Sequence, residues 1–260
     1  MAFSEQITSL QNETVKHLVK LARDTSLRRK EGLFLTEGEK LTHQAVLAGC
    51  RFEMLLTTGK VFPFADKAKK QILLSPHCAE KISTMPSAPD CIGLFAMPEY
   101  DAALFEKPGR FLALEGVQDP GNVGTILRTA LAFGADGVIA DGCCGDLFSP
   151  KALRASMGAA LHLPLLQTEN LPKNLAEKKK QNRLFVTALR EDAIPLPTVQ
   201  IPDHFILVIG NEGHGVSDAT LSLADETVII PMNGKIQSLN ASSAASVALY
   251  EFFVRKGATI

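Results

Sequence analysis

Apolar positions along the first hundred residues follow two periods in turn. Between 12 and 27, Val15, Leu18, Val19 and Leu21 recur at helical spacing and predict one helix. Residues 32–38 form a short apolar run between glycines, the pattern of a strand. Residues 40–48 predict a second helix stopped by Gly49, and 52–57 and 91–96 predict two more strands. Pro86, Pro89 and Pro98 break up the end of this region, and residues 99–109, closed by Pro108 and Gly109, read as a linker. Beyond it the alternation is cleaner. Strands are expected over 111–117, 138–140, 184–188, 205–209 and 227–231. Helices are expected over 123–133, stopped by Gly134, and over 152–160 and 240–255. Strands alternating with helices imply a parallel α/β sheet. The chain therefore reads as a small α/β domain over 1–98, a linker, and an α/β domain over 110–260.

Composition narrows the class. With 46% hydrophobic and 21% charged residues, the 260-residue chain has the make-up of a folded globular protein. No stretch reaches the roughly 18 uncharged apolar residues of a membrane helix. The first residues show no basic start followed by an apolar run, so a cytoplasmic protein without a signal peptide is expected. The five cysteines contain no C-x-x-C pair, and the six histidines no H-E-x-x-H. Neither a disulfide framework nor a metal site is expected.

The net charge of −1 is unevenly spread, since residues 1–98 carry 13 Lys and Arg against 10 Asp and Glu. Lys16, Lys20, Arg23, Arg28, Arg29 and Lys30 fall in one short segment opposed only by Asp24. That density suits phosphate binding, and equally a solvated helix face.

In open α/β sheets, ligands bind beyond the carboxyl ends of strands. Three segments at expected strand ends carry chemistry. Residues 115–130 place Gly121 and Gly124 at a helix start with Asn122 as a candidate cap, and Arg128 lies about one turn beyond Gly124. Residues 209–217 hold three glycines in six positions, an arrangement for close approach, with Asn211, Glu212 and His214 between them. It lacks the Gly-Lys-Ser/Thr of a P-loop and is not G-x-G-x-x-G. A single loop histidine such as His214 carries no assignment by itself. Residues 229–246 run from a strand end through a polar loop to Asn240, a good N-cap. Ala241, Ala244, Ala245 and Ala248 then form a small-residue helix face.

Together these segments resemble the SpoU (TrmH) family of RNA ribose 2′-O-methyltransferases, within the trefoil-knotted SPOUT superfamily. Asn122-x-Gly124-x-x-x-Arg128-Thr129-Ala130 is similar to the family's first motif, Gly210-Asn211-Glu212-Gly213-x-Gly215 to its second, and Ile230-Pro231-Met232-x-Gly234-x-x-x-Ser238-Leu239-Asn240 to its third. Ser149-Pro150-Lys151-x-x-Arg154-x-Ser156-x-Gly158-Ala159 is similar to a stretch usual between the first two. Residues 7–12 and 34–38 resemble the family's N-terminal RNA-binding extension. Ala241 stands where valine is commoner.

The resemblance implies a knotted, parallel-sheet methyltransferase domain that works as a homodimer and binds S-adenosylmethionine, behind an RNA-binding domain. It implies cofactor contacts at Gly210, Asn211, Ile230, Met232 and Leu239, and a functional polar set of Asn122, Arg128, Glu212, Ser238 and Asn240. Lys16, Lys20, Arg28, Arg29, Lys30 and Arg154 are the expected RNA contacts. An extension of this kind favours large-subunit ribosomal RNA over transfer RNA as substrate. Two other classes compete: a nucleotide-dependent oxidoreductase, disfavoured by the missing dinucleotide fingerprint, and a catalytically silent RNA-binding protein, disfavoured by the complete polar set.

Overall fold

The computed structural model describes residues 3–211, 213–233 and 238–255. Glu212 and Gly234, both singled out in the sequence, lie outside the described residues. The chain forms two compact units: the first holds residues 1–99 together with 146–162, the second 100–145 together with 163–260.

The first unit contains β1 (Glu5–Ile7), α1 (Glu13–Arg23), α2 (Thr25–Glu31), β2 (Leu33–Glu37), α3 (Glu39–Leu47), β3 (Phe52–Thr57), β4 (Lys70–Leu74), α4 (Pro76–Ile82) and β5 (Cys91–Ala96). The single helix expected over 12–27 is two helices. Asp24 takes an extended conformation between them and caps α2, its side chain accepting the Leu27 N–H. The five strands run in the order β1-β4-β3-β5-β2. β5 lies antiparallel to both β3 and β2, while the β1–β4 and β4–β3 pairs are parallel. The sheet is thus mixed, because apolar periodicity reports which residues are buried and not which way a strand runs. α1 and α4 cover one face through Val15, Leu18, Leu21, Cys78 and Ile82.

The second unit contains β6 (Arg110–Leu114), α5 (Pro120–Ala132) and β7 (Gly137–Asp141); the chain then passes through α6 (Pro150–Ala155), which belongs to the first unit. It continues with β8 (Leu165–Thr168), α7 (Leu171–Lys178), β9 (Arg183–Thr187), β10 (Ile194–Pro195), β11 (Phe205–Ile209), α8 (Asp218–Leu221), β12 (Glu226–Ile229) and α9 (Ala241–Leu249). The seven strands, ordered β10-β12-β9-β11-β6-β7-β8, are parallel throughout. β11 is buried along its whole length, as a central parallel strand covered on both faces must be. The helix expected over 240–255 is α9 followed by a π-helical turn, Tyr250–Val254. Phe252 and Phe253 in that turn pack edge-on against Phe205, at 5.2 and 4.9 Å between ring centres, and anchor the C-terminal helix on the sheet.

Two expectations change in detail. The stretch 99–109 includes a short helical turn, Ala102–Glu106, whose Phe105 is buried against Phe111 in the second unit's core. The helix expected over 152–160 stops at Ala155, and Met157 (φ 52°) and Gly158 (φ 85°) then take left-handed conformations.

Candidate active site

The strand order reverses between β6 and β11, and the loops at the carboxyl ends of these two neighbours carry the first and second motifs. Both loops are built by backbone-directed hydrogen bonds. Asn211 joins them: its Nδ2 donates to the Gly116 carbonyl at 2.7 Å, while its Oδ1 accepts the N–H groups of Gly213 and His214. The backbone of Asn211 also pairs with that of Gly215 in both directions. The loop closes so tightly that a Cβ on Gly210 would lie 2.5 Å from the Gly215 carbonyl carbon. Glycine at 210 is therefore a steric requirement. Asn211, expected to touch the cofactor, lines the cavity described below, but its amide shapes the loop.

The helix after β6 begins earlier than expected. Asp119 is its N-cap, accepting from the N–H groups of Gly121 and Asn122, and Pro120 occupies the first helical position. Asn122 therefore sits inside the first turn of α5. It meets the third motif there: Asn240 Nδ2 donates to Asn122 Oδ1 at 3.1 Å. Asn240 is the N-cap of α9, as expected, its Oδ1 accepting from the N–H groups of Ser242 and Ser243. Farther along, the Thr129 and Ser246 hydroxyls lie 3.4 Å apart. With Asn122 and Asn240 paired at the start and Thr129 and Ser246 later, α5 and α9 run parallel, their N-terminal ends side by side. The Asp119 carboxylate already offsets the positive dipole end of α5, whereas α9 has a neutral cap and its positive end favours an anion.

A cavity of about 360 Å³ opens at the carboxyl ends of β9, β11 and β12. Gly210, Asn211, Ile230, Met232, Ser238 and Leu239, all singled out in the sequence, line it. Ala241 and Ala244 of α9 form part of the wall, where the small-residue face admits close approach. Its size and mainly apolar lining, with a few polar groups, fit an adenosyl-sized molecule. Thr187, Ala188, Leu189 and Arg190 also line it and were missed. Their signal was position alone, directly beyond a strand end. Asn122, Arg128 and Asn240 are not among the lining residues. Arg128 stands exposed on α5.

The expected RNA contacts divide. Lys16, Lys20, Arg29 and Lys30 are exposed. Arg28 is not a surface contact: only 2% exposed, it donates to Asp146 at 2.6 Å, to the Leu21 carbonyl and to Thr25. Arg154 is likewise engaged, half-buried and paired with the buried Glu37 and with Thr84. A buried guanidinium must find such partners, because leaving its charge unpaired would be far costlier. Of the cysteines, Cys78, Cys91 and Cys144 are buried; burial pushes the Cys91 thiol up to about 11 and the Cys144 thiol higher, so both are protonated and inert at neutral pH. Among the described residues no cluster of His, Cys, Asp and Glu could hold a metal ion, and no helix is long and apolar enough to cross a membrane.

Comparison with known proteins accounts for this arrangement. Residues 109–250 match the model of the SpoU rRNA Methylase family, and residues 12–93 that of the MRM3-like substrate binding domain. The 23S rRNA (guanosine(2553)-2′-O)-methyltransferase RlmP of Bacillus subtilis is 34% identical, over 95% of this chain and 98% of its own. A crystal structure of an AdoMet-bound rRNA methyltransferase from Sinorhizobium meliloti superposes with a TM-score of 0.86 at 26% identity, covering 98% of both chains. The SpoU methyltransferase AviRb from Streptomyces viridochromogenes, in complex with AdoMet, gives 0.84 at 27% identity, covering 95% of this chain and 98% of that one. These neighbours have the knotted methyltransferase fold that the three motifs implied. With a family model across more than half of its length and a relative matched almost from end to end, the chain belongs to the SpoU rRNA methylase family, whose cofactor is S-adenosylmethionine, and is an RNA methyltransferase.

Proposed function

We propose that this chain transfers the methyl group of S-adenosylmethionine to a ribose 2′-OH of large-subunit ribosomal RNA in the cytoplasm, as a homodimer. The observation that carries the reading is the cavity beyond β9, β11 and β12, lined by residues of both the second and third motifs. The bound cofactor supplies an electrophilic sulfonium methyl. Gly210, Ile230 and Leu239 would hold it, largely through backbone groups, and Met232, which lines the same cavity, would add apolar surface. Ser238 orients the nucleotide or the cofactor at the cavity wall.

The chain's remaining task is to hold the ribose hydroxyl in line and to stabilise the charge that develops as it loses its proton. The N-terminus of α9, joined to α5 through Asn240 and Asn122, suits the phosphate next to that ribose. Arg128 is a guanidinium, with a pKa above about 12, and so a poor literal base. Its role is to hold phosphate and stabilise alkoxide charge. Because it is exposed and outside the cavity lining, we assign it to the site of the partner subunit. The first unit adds affinity through Lys16, Lys20, Arg29 and Lys30. Support for ribosomal RNA comes from relatives named for it, among them RlmP and the mitochondrial rRNA methyltransferase 3A of Danio rerio, 29% identical over 89% of this chain.

The test is tritiated methyl transfer from S-adenosylmethionine to total RNA lacking its modifications, with nuclease mapping of the label. Label at one ribose of large-subunit RNA is expected. Label in transfer RNA would overturn the substrate, and absence of both label and cofactor binding would overturn the function.

A further inference from the structure

The first unit carries a second concavity, of about 480 Å³, along one face of α1. Its floor is apolar, formed by the partly buried Leu10, Val19 and Leu27 above the buried Val15. Its rim is basic: Lys16 and Lys20, one helical turn apart on α1, face Lys81 from α4, and all three are exposed. Arg23, counted among the basic residues of this segment, has a different part. Its guanidinium donates to the carbonyls of Val19, Lys81 and Ser83, and so ties the end of α4 to the end of α1. That bond network fixes where Lys81 stands. Glu13 is the one acid on the rim; it pairs with Lys16 at 2.9 Å, and the ammonium holds its carboxyl below the usual range. His17, also on the rim, is held by Glu31 at 2.8 Å with its ring edge fixed.

We propose that this groove is a nucleotide-docking site for single-stranded RNA, which seats one base on the apolar floor while Lys16, Lys20 and Lys81 take the flanking phosphates. The choice of RNA rests on the function proposed above; the location and the manner of docking rest on the groove itself. A volume of this size holds a base with its ribose. The floor is aliphatic and offers no stacking ring, so it shelters the base from water while the cationic rim meets the anionic backbone. Glu13 then acts against binding, since an arriving phosphate must take Lys16 from it.

The experiment uses the full chain and a fluorescein-labelled ten-nucleotide oligouridine carrying one 4-thiouridine, without S-adenosylmethionine. Affinity is read by anisotropy across a salt series, and photocrosslinks are mapped by mass spectrometry. In the triple variant K16A/K20A/K81A, affinity should fall at least tenfold, and the log–log salt slope should shrink by about 2, as three lost contacts to a single strand predict. The crosslink should fall on residues 10–20 or on the peptide holding Lys81. Glu13→Gln should tighten binding several-fold, a gain that a misfolded variant would not show. A control variant of equal charge change, K67A/K107A/K173A, should bind as wild type. The proposal is overturned if both triple variants lose affinity alike, if polyglutamate competes as well as oligouridine, or if the crosslink maps elsewhere. Because no methyl transfer is measured, this result stands apart from that of the labelling experiment.

Discussion

In the first unit Arg28 lies beneath the surface with its guanidinium on Asp146, while in the second Arg128 stands in solvent on α5. Both are arginines on helices, and both were functional candidates in the sequence. Their surroundings separate them. Arg28 has three partners, one of them an anion 2.6 Å away, and no room for a ligand. Arg128 is exposed on α5 and outside the cavity lining. The same contrast runs through the units. In the first, arginines such as Arg23, Arg28 and Arg154 hold the chain to itself; in the second, side-chain amides shape loops and leave backbone groups for a ligand. An arginine's function is decided by what already satisfies it.

The largest expected effect breaks the Arg28 side of this comparison. Arg28→Met leaves Asp146 buried without its cation and should lower stability by about 3–5 kcal/mol, read by urea unfolding. The double variant R28M/D146L removes both charges and should recover most of that loss. If Arg28→Met weakened RNA binding while the unfolding midpoint stayed put, Arg28 would be an RNA contact and the contrast with Arg128 would fall.

Next comes the Arg128 side. Arg128→Ala should lower kcat by about 100- to 1000-fold, the range for a lost charge-stabilising donor, with S-adenosylmethionine binding and the unfolding midpoint unchanged. A lysine at 128 should recover only part, since it lacks the planar fork. Gly210→Val should fail differently, losing cofactor binding by calorimetry, because its Cβ would overlap the Gly215 backbone. Co-expression of these two inactive variants tests the assignment of Arg128 to the partner's site. Half of randomly paired dimers are mixed, and each mixed dimer has one intact site, so about a quarter of wild-type activity should return. No recovery in purified mixed dimers would place Arg128 in its own subunit's site.

How much of this was legible in the sequence follows the same division. The glycine-dense loop after β11 and the helix cap at Asn240 could be read from the residues themselves, whereas the cofactor contacts at 230, 232 and 239 and the role of Ser238 came only with the resemblance to the SpoU family. The burial of Arg28 could not be read, since its partner lies 118 positions away. Proline misled in a specific way. Pro120 lies outside the helix expected over 123–133, yet it opens α5, and Pro76, Pro150 and Pro172 likewise stand in the first turns of α4, α6 and α7. Proline's missing N–H costs nothing at that position, so an Asp or Ser before proline marks a helix start as readily as a turn. Short strands such as β4 and β8 escaped because four or five residues carry too little periodicity.

The smallest expected effect is the most discriminating. Asn240 does two things with one amide: its oxygen caps α9 and its nitrogen reaches Asn122. Asn240→Ala removes both and should cost about 1 kcal/mol of stability along with activity. Asn240→Asp separates them. A carboxylate still accepts from Ser242 and Ser243 and suits the helix N-terminus, so stability should hold or rise slightly. But it has no donor for the Asn122 oxygen, and it places a negative charge where a phosphate is to sit. KM for RNA should therefore rise while cofactor affinity measured by calorimetry stays within about twofold, because Asn240 is outside the cavity lining. An Asn240→Asp enzyme with wild-type KM for RNA would mean that the junction of α5 and α9 is only a helix contact, and that the phosphate is held elsewhere.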